Sequence, residues 1–87
     1  MMFDIEYSNL SKKFLKKIDK ELASRILDKL EGLKTEPIPS DSKFIGRENN
    51  EKAFRIRIGK YRAVYKLKQL EKVILVTKID KRGKVYG

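Results

Sequence analysis

Six residues in the C-terminal half of the chain could act together on the phosphates and bases of RNA: Arg55, Arg57, Arg62, Lys81, Arg82 and Tyr86. Clustered cations neutralise phosphates, and they also stabilise the extra negative charge of a phosphorane-like transition state. RNA supplies its own nucleophile, the 2′-hydroxyl group, so a cleaving protein must orient that group, remove its proton and stabilise charge. A tyrosine adds a ring on which a base can stack. These residue types suit a surface that binds RNA and, given a proton acceptor, cuts it.

The alternation of residues 52–68 (KAFRIRIGKYRAVYKLK) predicts the strands that position three of these arginines. Two β-prone runs flank Gly59 and Lys60, which is the pattern of a hairpin with a two-residue turn. Because side chains alternate between the two faces of a strand, one face is apolar and the other is basic. The apolar face carries Phe54, Ile56, Ile58, Tyr61, Ala63 and Tyr65, and the basic face carries Arg55, Arg57, Arg62 and Lys66.

The basic face of this hairpin has two interpretations. Arg57 lies opposite Arg62 in the predicted pairing, and like charges directly opposite one another destabilise a sheet. The segment contains seven lysines and arginines and no acid, so we expect no acid near the cluster. One interpretation is a solvated face whose long side chains splay apart. The other is an anion-binding site whose charge is balanced by its ligand.

The net charge of +10 is concentrated in the same part of the chain. Residues 1–51 contain ten acids and ten bases, whereas residues 52–87 contain twelve bases and only Glu71 and Asp80 as acids. A polyanion is the expected partner, and nucleic acid is favoured over anionic lipid because no basic amphipathic helix with a broad apolar face is present. The bases expected to bind RNA around the central cluster are Lys43, Arg47, Lys52, Arg55 and Lys66.

The composition also excludes several classes of protein. The chain lacks cysteine and histidine, so it has neither disulfides, nor thiolate or imidazole metal ligands, nor the commonest general base. We predict no metal and no cofactor. No apolar run approaches the roughly 20 residues of a membrane span, and the first residues do not resemble a signal peptide. The expectation is a cytoplasmic protein that does not bind membranes, and residues 1–87 have the length of a single domain.

A long apolar stripe predicts the helices that cover the apolar face of the hairpin. Apolar residues recur at every fourth position from Leu10 to Leu30, which is helical periodicity. Asp19 interrupts the stripe and is a good N-cap candidate. We therefore predict two helices, over about 9–18 and 20–34.

Three further segments complete the predicted sheet. Residues 2–7 and 73–79 have the composition of strands, and 43–45 predicts a short edge strand after a loop with two prolines. Pairing Leu67 with Lys72 would place Leu75 and Thr77 beside Val64 and Arg62. The predicted order is β-α-α-β-β-β(-β), an α+β fold with an N-terminal helical hairpin on one face of a mostly antiparallel, twisted sheet. The other face of that sheet is expected to be open and basic.

Three stretches of the sequence resemble the RelE/ParE superfamily of toxins from type II toxin–antitoxin systems. They are FRIRIGKYRAVYKL, the strand VILVTKI, and the closing KRGKVY. The N-terminal EYS and KKFLKKIDKELASRILDKLEGL also resemble the opening strand and helical hairpin of that superfamily. The resemblance covers nearly the whole chain in the right order and is stronger to the RelE branch.

The resemblance implies a ribosome-dependent endoribonuclease, or mRNA interferase. Such toxins enter the ribosomal A site, cut translating mRNA by attack of the 2′-hydroxyl and leave a cyclic phosphate without a metal. By position, Arg55 and Arg57 match the two strand bases of the family, which are implicated in proton removal and phosphate contact. Arg62 matches the arginine that stabilises the transition-state phosphate. Arg82, with Lys81 beside it, matches a later catalytic arginine, and Tyr86 matches the tyrosine that stacks on a base of the codon.

The match departs from the family at three places. Arginine stands at both strand positions where active members often have lysine, and arginine is a much poorer proton acceptor. The general base is therefore unassigned. The segment between Lys81 and Val85 is short, so either Lys81 or Arg82 occupies the place of the family's catalytic arginine. Ile45 stands before Gly46, where an additional base is common, and Lys43 or Arg47 is a possible substitute.

Three functions are compatible with the sequence. The first is a toxin of the RelE type that acts on mRNA at the ribosome and is inhibited by a cognate RelB-like antitoxin in a heterodimer or heterotetramer. The second is a ParE-like toxin that acts on DNA gyrase through protein contacts. The third is a member of the family that binds RNA without cutting it.

Overall fold

Two helices lie on one face of a five-stranded sheet in the computed structural model, which describes residues 2–81. The helices are α1 (Asn9–Lys17) and α2 (Lys20–Glu31), followed by a 3-10 turn over Gly32–Lys34. The strands are β1 (Asp4–Tyr7), β2 (Ser42–Glu48), β3 (Glu51–Ile58), β4 (Tyr61–Lys68) and β5 (Val73–Lys81). Their order is β1-β5-β4-β3-β2, with β1 parallel to β5 and the other neighbours antiparallel. The predicted α+β fold is confirmed.

Side-chain caps define where both helices begin. Ser8 is the N-cap of α1, and its Oγ accepts a hydrogen bond of 3.1 Å from the backbone N–H of Ser11. Asp19 is the N-cap of α2, and its Oδ2 accepts a hydrogen bond of 3.2 Å from the N–H of Leu22. Each cap satisfies a donor that the first helical turn leaves unpaired. The predicted division of the apolar stripe at Asp19 is therefore confirmed.

The core lies between α2 and the central strands. Ile26, Leu30 and Leu33 are buried, and they pack in one cluster with buried residues of β3, β4 and β5. On β3 and β4 these are Phe54, Ile56, Ala63, Tyr65 and Leu67, and on β5 they are Ile74, Val76 and Ile79. Burying each large aliphatic or aromatic side chain stabilises the fold by about 1.5–3 kcal/mol. The predicted apolar face of the hairpin thus forms the sheet side of the core.

The hairpin of β3 and β4 has the register that the alternation predicts. Ile58 pairs with Tyr61, Arg57 with Arg62, and Phe54 with Tyr65. Gly59 has a φ of 61°, which is the left-handed conformation that two-residue hairpin turns favour.

The next connection does not follow the prediction. Leu67 pairs with Ile74 instead of Lys72, because the turn takes up residues 69–72 and Lys72 itself adopts a φ of 60°. A shift of two residues leaves the faces unchanged, so Ile74 and Val76 still enter the core.

A β-bulge in β5 then changes the faces of all residues that follow it. Tyr65 pairs with Val76 and Val64 pairs with Lys78, so Thr77 is an extra residue with no partner on β4. Past the bulge the pairs are Val64 with Lys78, Arg62 with Asp80 and Tyr61 with Lys81. Lys78 and Asp80 therefore stand beside Val64 and Arg62, and the prediction that Leu75 and Thr77 do so is wrong.

Two serines at the start of α1 bind the carbonyl groups of the bulge. The N–H of Ser8 donates to the Val76 carbonyl at 2.9 Å, and the Oγ of Ser11 donates to the same carbonyl at 3.0 Å. The Oγ of Ser8 donates to the Thr77 carbonyl at 2.9 Å. The side chain of Thr77 completes the arrangement by donating to the Val64 carbonyl at 3.2 Å. These bonds satisfy the carbonyl groups of Val76, Thr77 and Val64 at the bulge.

The edge strand β2 is longer than predicted and has its own bulge. Phe44 pairs with Phe54 and Gly46 pairs with Ala53, which leaves Ile45 as an extra residue. Gly46 has a φ of 128°, a conformation open to glycine and strained for other residues. Asn49 and Asn50 have φ values of 52° and 68°, so they form a hairpin turn that joins β2 to β3.

Within residues 2–81, neither helix has the length and apolar character that crossing a bilayer requires.

We expect Ser11→Ala to destabilise the domain through the bulge. Ser11 is fully buried, and the variant removes the hydrogen bond from its Oγ to the Val76 carbonyl. Ser24→Ala is the matched control, because Ser24 is an exposed residue of α2 and the same gain in helix propensity applies there. The free energy of unfolding of Ser11→Ala should lie about 1–2 kcal/mol below that of Ser24→Ala in denaturant titrations. Equal stabilities would contradict the proposed anchoring of the bulge.

Candidate nucleic-acid interface

The sheet has an outer face, which is the face away from the helices, and its charges are separated into two ends. The end next to the β3–β4 turn, here called the arginine end, consists of Lys43, Arg55, Arg57, Arg62, Lys78 and Asp80. The opposite end, here called the carboxylate end, consists of Asp4, Glu6, Glu48, Glu51, Lys66 and Lys68. The prediction of an open basic face thus describes only half of it.

The three arginines of the hairpin meet at the arginine end. Arg57 lies directly opposite Arg62, a pairing that places their Cα atoms about 4.5–5.5 Å apart. Arg55 lies two positions along β3 from Arg57 and therefore points to the same face. Arg57 is exposed, Arg55 is half-buried and Arg62 is only 7% exposed. Charges in such a partly water-excluded place act on a phosphate more strongly than solvated ones.

An acid accompanies these arginines, contrary to the expectation from the sequence. Asp80 lies directly opposite Arg62 on the neighbouring strand. Its Oδ2 is 3.3 Å from the Nζ of Lys78, and its side chain is 28% exposed. The bulge at Thr77 causes this placement, because without it Ile79 would lie opposite Arg62 and Asp80 would point toward the helices.

Lys81 does not join the arginine end. It pairs with Tyr61, whose side chain is on the helix-covered face of the sheet. There Lys81 lines a cavity of about 480 Å³ together with Arg25, Leu22, Ile26 and residues 58–61. The sequence predicted that Lys81 acts together with Arg62, and the bulge is again the reason for the difference. Arg82 and Tyr86, the other two predicted catalytic residues, lie outside the described residues.

Two of the bases predicted to bind RNA belong to the arginine end. Lys43 lies opposite Arg55 on the edge strand, and both line a cleft of about 370 Å³ together with Arg57. Residues 40–42 form the other wall of this cleft. The Nζ of Lys29 donates a hydrogen bond of 2.7 Å to the carboxylate of Asp41, which holds the pKa of that carboxyl group below its usual value.

The other three predicted bases lie elsewhere. Lys66 belongs to the carboxylate end, where its Nζ is 3.3 Å from Glu48 and 3.8 Å from Glu51. Lys52 pairs with Arg47 on one side and with Leu67, a core residue, on the other, so Lys52 is on the helix side of β3. Their contact with RNA stays a prediction, and their positions favour it less than those of Lys43 and Arg55.

Two features of the site were missed by the sequence interpretation. The carboxylate end depends on β2 reaching Glu48, which the sequence signals weakly through Asn49 and Asn50, a dipeptide suited to a tight hairpin turn. The position of Asp80 has no local signal at all, because the bulge that creates it depends on residues near the N-terminus. Within the described part of the chain, no three acidic side chains are arranged to hold a metal ion.

Comparisons with known proteins identify the family. A model of the ParE toxin of the type II toxin–antitoxin system parDE matches residues 5–86. The protein named "Putative toxin RelE1" from Methanocaldococcus jannaschii is 31% identical over 87 residues, which are 99% of this chain and 97% of that protein.

Solved structures share the same fold. The archaeal RelE–RelB complex from Pyrococcus horikoshii contains a chain with a TM-score of 0.84 and 26% identity, covering 97% of this chain and 99% of its own. The toxin–antitoxin complex RelBE2 from Mycobacterium tuberculosis gives a TM-score of 0.78 at 18% identity, with 94% of this chain and 100% of that chain covered. The second likeness concerns the fold alone. This chain belongs to the RelE/ParE superfamily of toxins from type II toxin–antitoxin systems, and within it to the RelE branch.

We expect Arg57→Gln and Arg25→Gln to affect RNA binding differently. Both arginines are exposed and both variants remove one positive charge, but Arg57 lies on the outer face of the sheet whereas Arg25 lies on α2. In fluorescence titrations of a short labelled single-stranded RNA, Arg57→Gln should lower the slope of log affinity against log salt by about 0.7, as expected for one lost phosphate contact. Arg25→Gln should leave that slope unchanged. An equal loss in the two variants would show that binding depends on net charge and not on the arginine end.

Proposed function

We propose that this RelE-like toxin is a ribosome-dependent endoribonuclease that cuts translating mRNA in the A site and thereby inhibits translation. The observation that supports this proposal most is the arginine end, where Arg55, Arg57 and Arg62 converge on a face without helices. The resemblance to RelE toxins assigns the chemistry to these same positions. An activity at the ribosome also implies a cytoplasmic location.

The proposed reaction uses the 2′-hydroxyl of the mRNA as the nucleophile. Arg55 and Arg57 contact the phosphate group whose bond is cut. Arg62 stabilises the negative charge that develops on the oxygens of that phosphate in the transition state. Arg82 is the fourth cation, since Lys81 is turned toward the helices and is the weaker candidate for that role. Tyr86 stacks on a base of the codon and orients the nucleotide.

A cognate RelB-like antitoxin is the proposed partner that keeps the toxin inactive. The two related chains of known structure come from toxin–antitoxin complexes, the archaeal RelE–RelB complex and RelBE2. A chain with a net charge of +10 favours an acidic partner that neutralises the arginine end. One toxin with one antitoxin would form a heterodimer, and pairing of two such units would form a heterotetramer.

A second candidate function follows from the ParE description of the matching family model. A ParE-like toxin would act on DNA gyrase through protein contacts, without any chemistry on RNA. The convergence of arginines favours the RNA target, because contacts with a protein surface do not require three cations on one patch. Loss of DNA supercoiling by gyrase in the presence of purified toxin would favour the ParE-like function.

Cleavage on translating ribosomes tests the proposed function. Primer extension on mRNA from a translating extract should show stops within codons when the toxin is present, and none without ribosomes. Arg62→Ala should reduce cleavage by about 10²–10³-fold, the usual cost of removing one donor to a transition-state oxyanion. Arg25→Ala is the matched control, because Arg25 is an exposed arginine on α2.

Because Arg62 is buried, its variant must also be shown to fold. Equal thermal unfolding of Arg62→Ala and the unmodified protein, or the same loss of activity in Arg62→Lys, would separate chemistry from stability. Absence of stops with the unmodified toxin, or full activity of a folded Arg62→Ala variant, would refute the proposed role.

Antitoxin binding provides a separate test. Co-expression with a RelB-like antitoxin, such as a small acidic protein encoded beside the toxin, should restore growth to cells that express the toxin. The purified complex should have the mass of a heterodimer or a heterotetramer in light scattering. A toxin that stays monomeric and active beside that protein would contradict the proposed partner.

A further inference from the structure

The proposed cleavage requires a proton acceptor that the arginines cannot supply. A guanidinium group keeps its proton in proteins, so Arg55, Arg57 and Arg62 bind phosphate without accepting the 2′-hydroxyl proton. The chain has no histidine. A group of another kind must therefore stand next to the arginines, and the inference below rests on the proposed function.

The described tyrosines cannot serve at this site. Tyr61 and Tyr65 are on the helix-covered face, and Tyr65 donates a hydrogen bond of 2.7 Å from its hydroxyl to the Pro37 carbonyl. Tyr7 pairs with Val76, another core residue, and donates to the carboxylate of Glu31. Burial beside Glu31 raises the pKa of the Tyr7 hydroxyl, which further disfavours its deprotonation.

Four described residues other than arginine stand within or beside the arginine end and carry ionisable groups: Lys43, Lys78, Asp41 and Asp80. An ammonium group ordinarily holds its proton at neutral pH, whereas a carboxylate is ready to accept one. The two aspartates are therefore the better candidates.

The two aspartates differ in position and in environment. Asp41 precedes β2, outside the strands of the sheet, its side chain is 47% exposed, and its carboxylate accepts a hydrogen bond from Lys29. Asp80 is on β5 within the sheet, directly opposite Arg62, and its side chain is 28% exposed. A substrate can reach it, and much of its surface is shielded from water.

The pairing of the strands places Asp80 next to the arginines that would bind the phosphate. Arg57, Arg62 and Asp80 follow one another across three adjacent strands and point to the same face. Adjacent strands are about 4.8 Å apart. A phosphate bound between Arg57 and Arg62 would thus have the carboxylate of Asp80 one strand away, within reach of the ribose attached to that phosphate.

We propose that Asp80 is the general base of the cleavage reaction. The carboxylate of Asp80 accepts the proton of the 2′-hydroxyl, and the electron pair of that oxygen forms the new bond to phosphorus. The bond from phosphorus to the 5′-oxygen breaks, and its electron pair stays on that oxygen, which takes a proton from water. The products are a 2′,3′-cyclic phosphate and a 5′-hydroxyl end, and Asp80 returns its proton to the solvent.

The neighbours of Asp80 are cations. Lys78 contacts its carboxylate, and Arg62 lies opposite it, so cations flank the acceptor before RNA arrives. The carboxylate end of the outer face lies further along the strands and repels the phosphates of the mRNA. Asp80 is accordingly the carboxylate that stands within the positive part of this face.

Single-turnover cleavage of mRNA on programmed ribosomes tests the assignment. Asp80→Asn has nearly the same size and cannot accept the proton, so its rate should fall by about 10²–10⁴-fold, the usual contribution of general base catalysis. Asp80→Glu should recover part of the rate. Asp28→Asn is the matched control, since Asp28 is an exposed aspartate on α2.

The pH profile separates a base from a residue that only positions Arg62. The rate of the unmodified toxin should fall as the pH drops through the range in which a carboxylate becomes protonated, and the residual rate of Asp80→Asn should lack that limb. Ribosome binding, measured by co-sedimentation, should be equal for the two proteins.

Each outcome decides between the proposals. Cleavage by the unmodified toxin together with an unchanged rate in Asp80→Asn overturns the role of Asp80 and leaves the endoribonuclease function standing. Loss of activity in Asp41→Asn with full activity in Asp80→Asn assigns the base to Asp41 instead. Absence of cleavage by the unmodified toxin overturns the proposed function and the role of Asp80 with it.

Discussion

The β-bulge at Thr77 is the constraint on which the arrangement of charges depends. An unbulged β5 would place Ile79 opposite Arg62 on the outer face and Asp80 opposite Tyr61 on the helix-covered face. The extra residue reverses both, so Ile79 becomes 3% exposed in the core and Asp80 reaches the arginines. Burial of the isoleucine favours the bulged register by about 1.5–3 kcal/mol.

The outer face is therefore a directional surface. The arginine end attracts phosphates, whereas the acids of β1 together with Glu48 and Glu51 occupy the other end, where Glu48 and Glu51 bind lysines of β4. An mRNA strand drawn to this face would be confined to the half that carries Arg55, Arg57 and Arg62. The net charge of the chain is +10, and pairing of the strands places the positive charges at one end of the outer face and the acids at the other. The electrostatic potential therefore varies along this face.

Strands packed on the core hold the arginines of this site. The ring of Phe54 stacks on that of Tyr65 with centroids 5.6 Å apart beneath the arginine end, and Phe44 meets Phe54 edge-on at 5.7 Å. The hydroxyl of Tyr65 also binds the Pro37 carbonyl, in the loop that leads to the wall of the cleft. Functional groups on packed strands stay closer to one geometry than groups on loops do.

The sequence by itself determined the two helices with their division at Asp19, the hairpin with its two faces, and the convergence of the three arginines. These features follow from local periodicity, from a side-chain cap and from a two-residue turn, all of which act between residues close in the chain. Only the tertiary structure decided the faces of Asp80 and Lys81. The bulge that sets them is bound by Ser8 and Ser11, which are 69 and 65 residues away from their acceptors, and such distant hydrogen bonds leave no local pattern in the sequence.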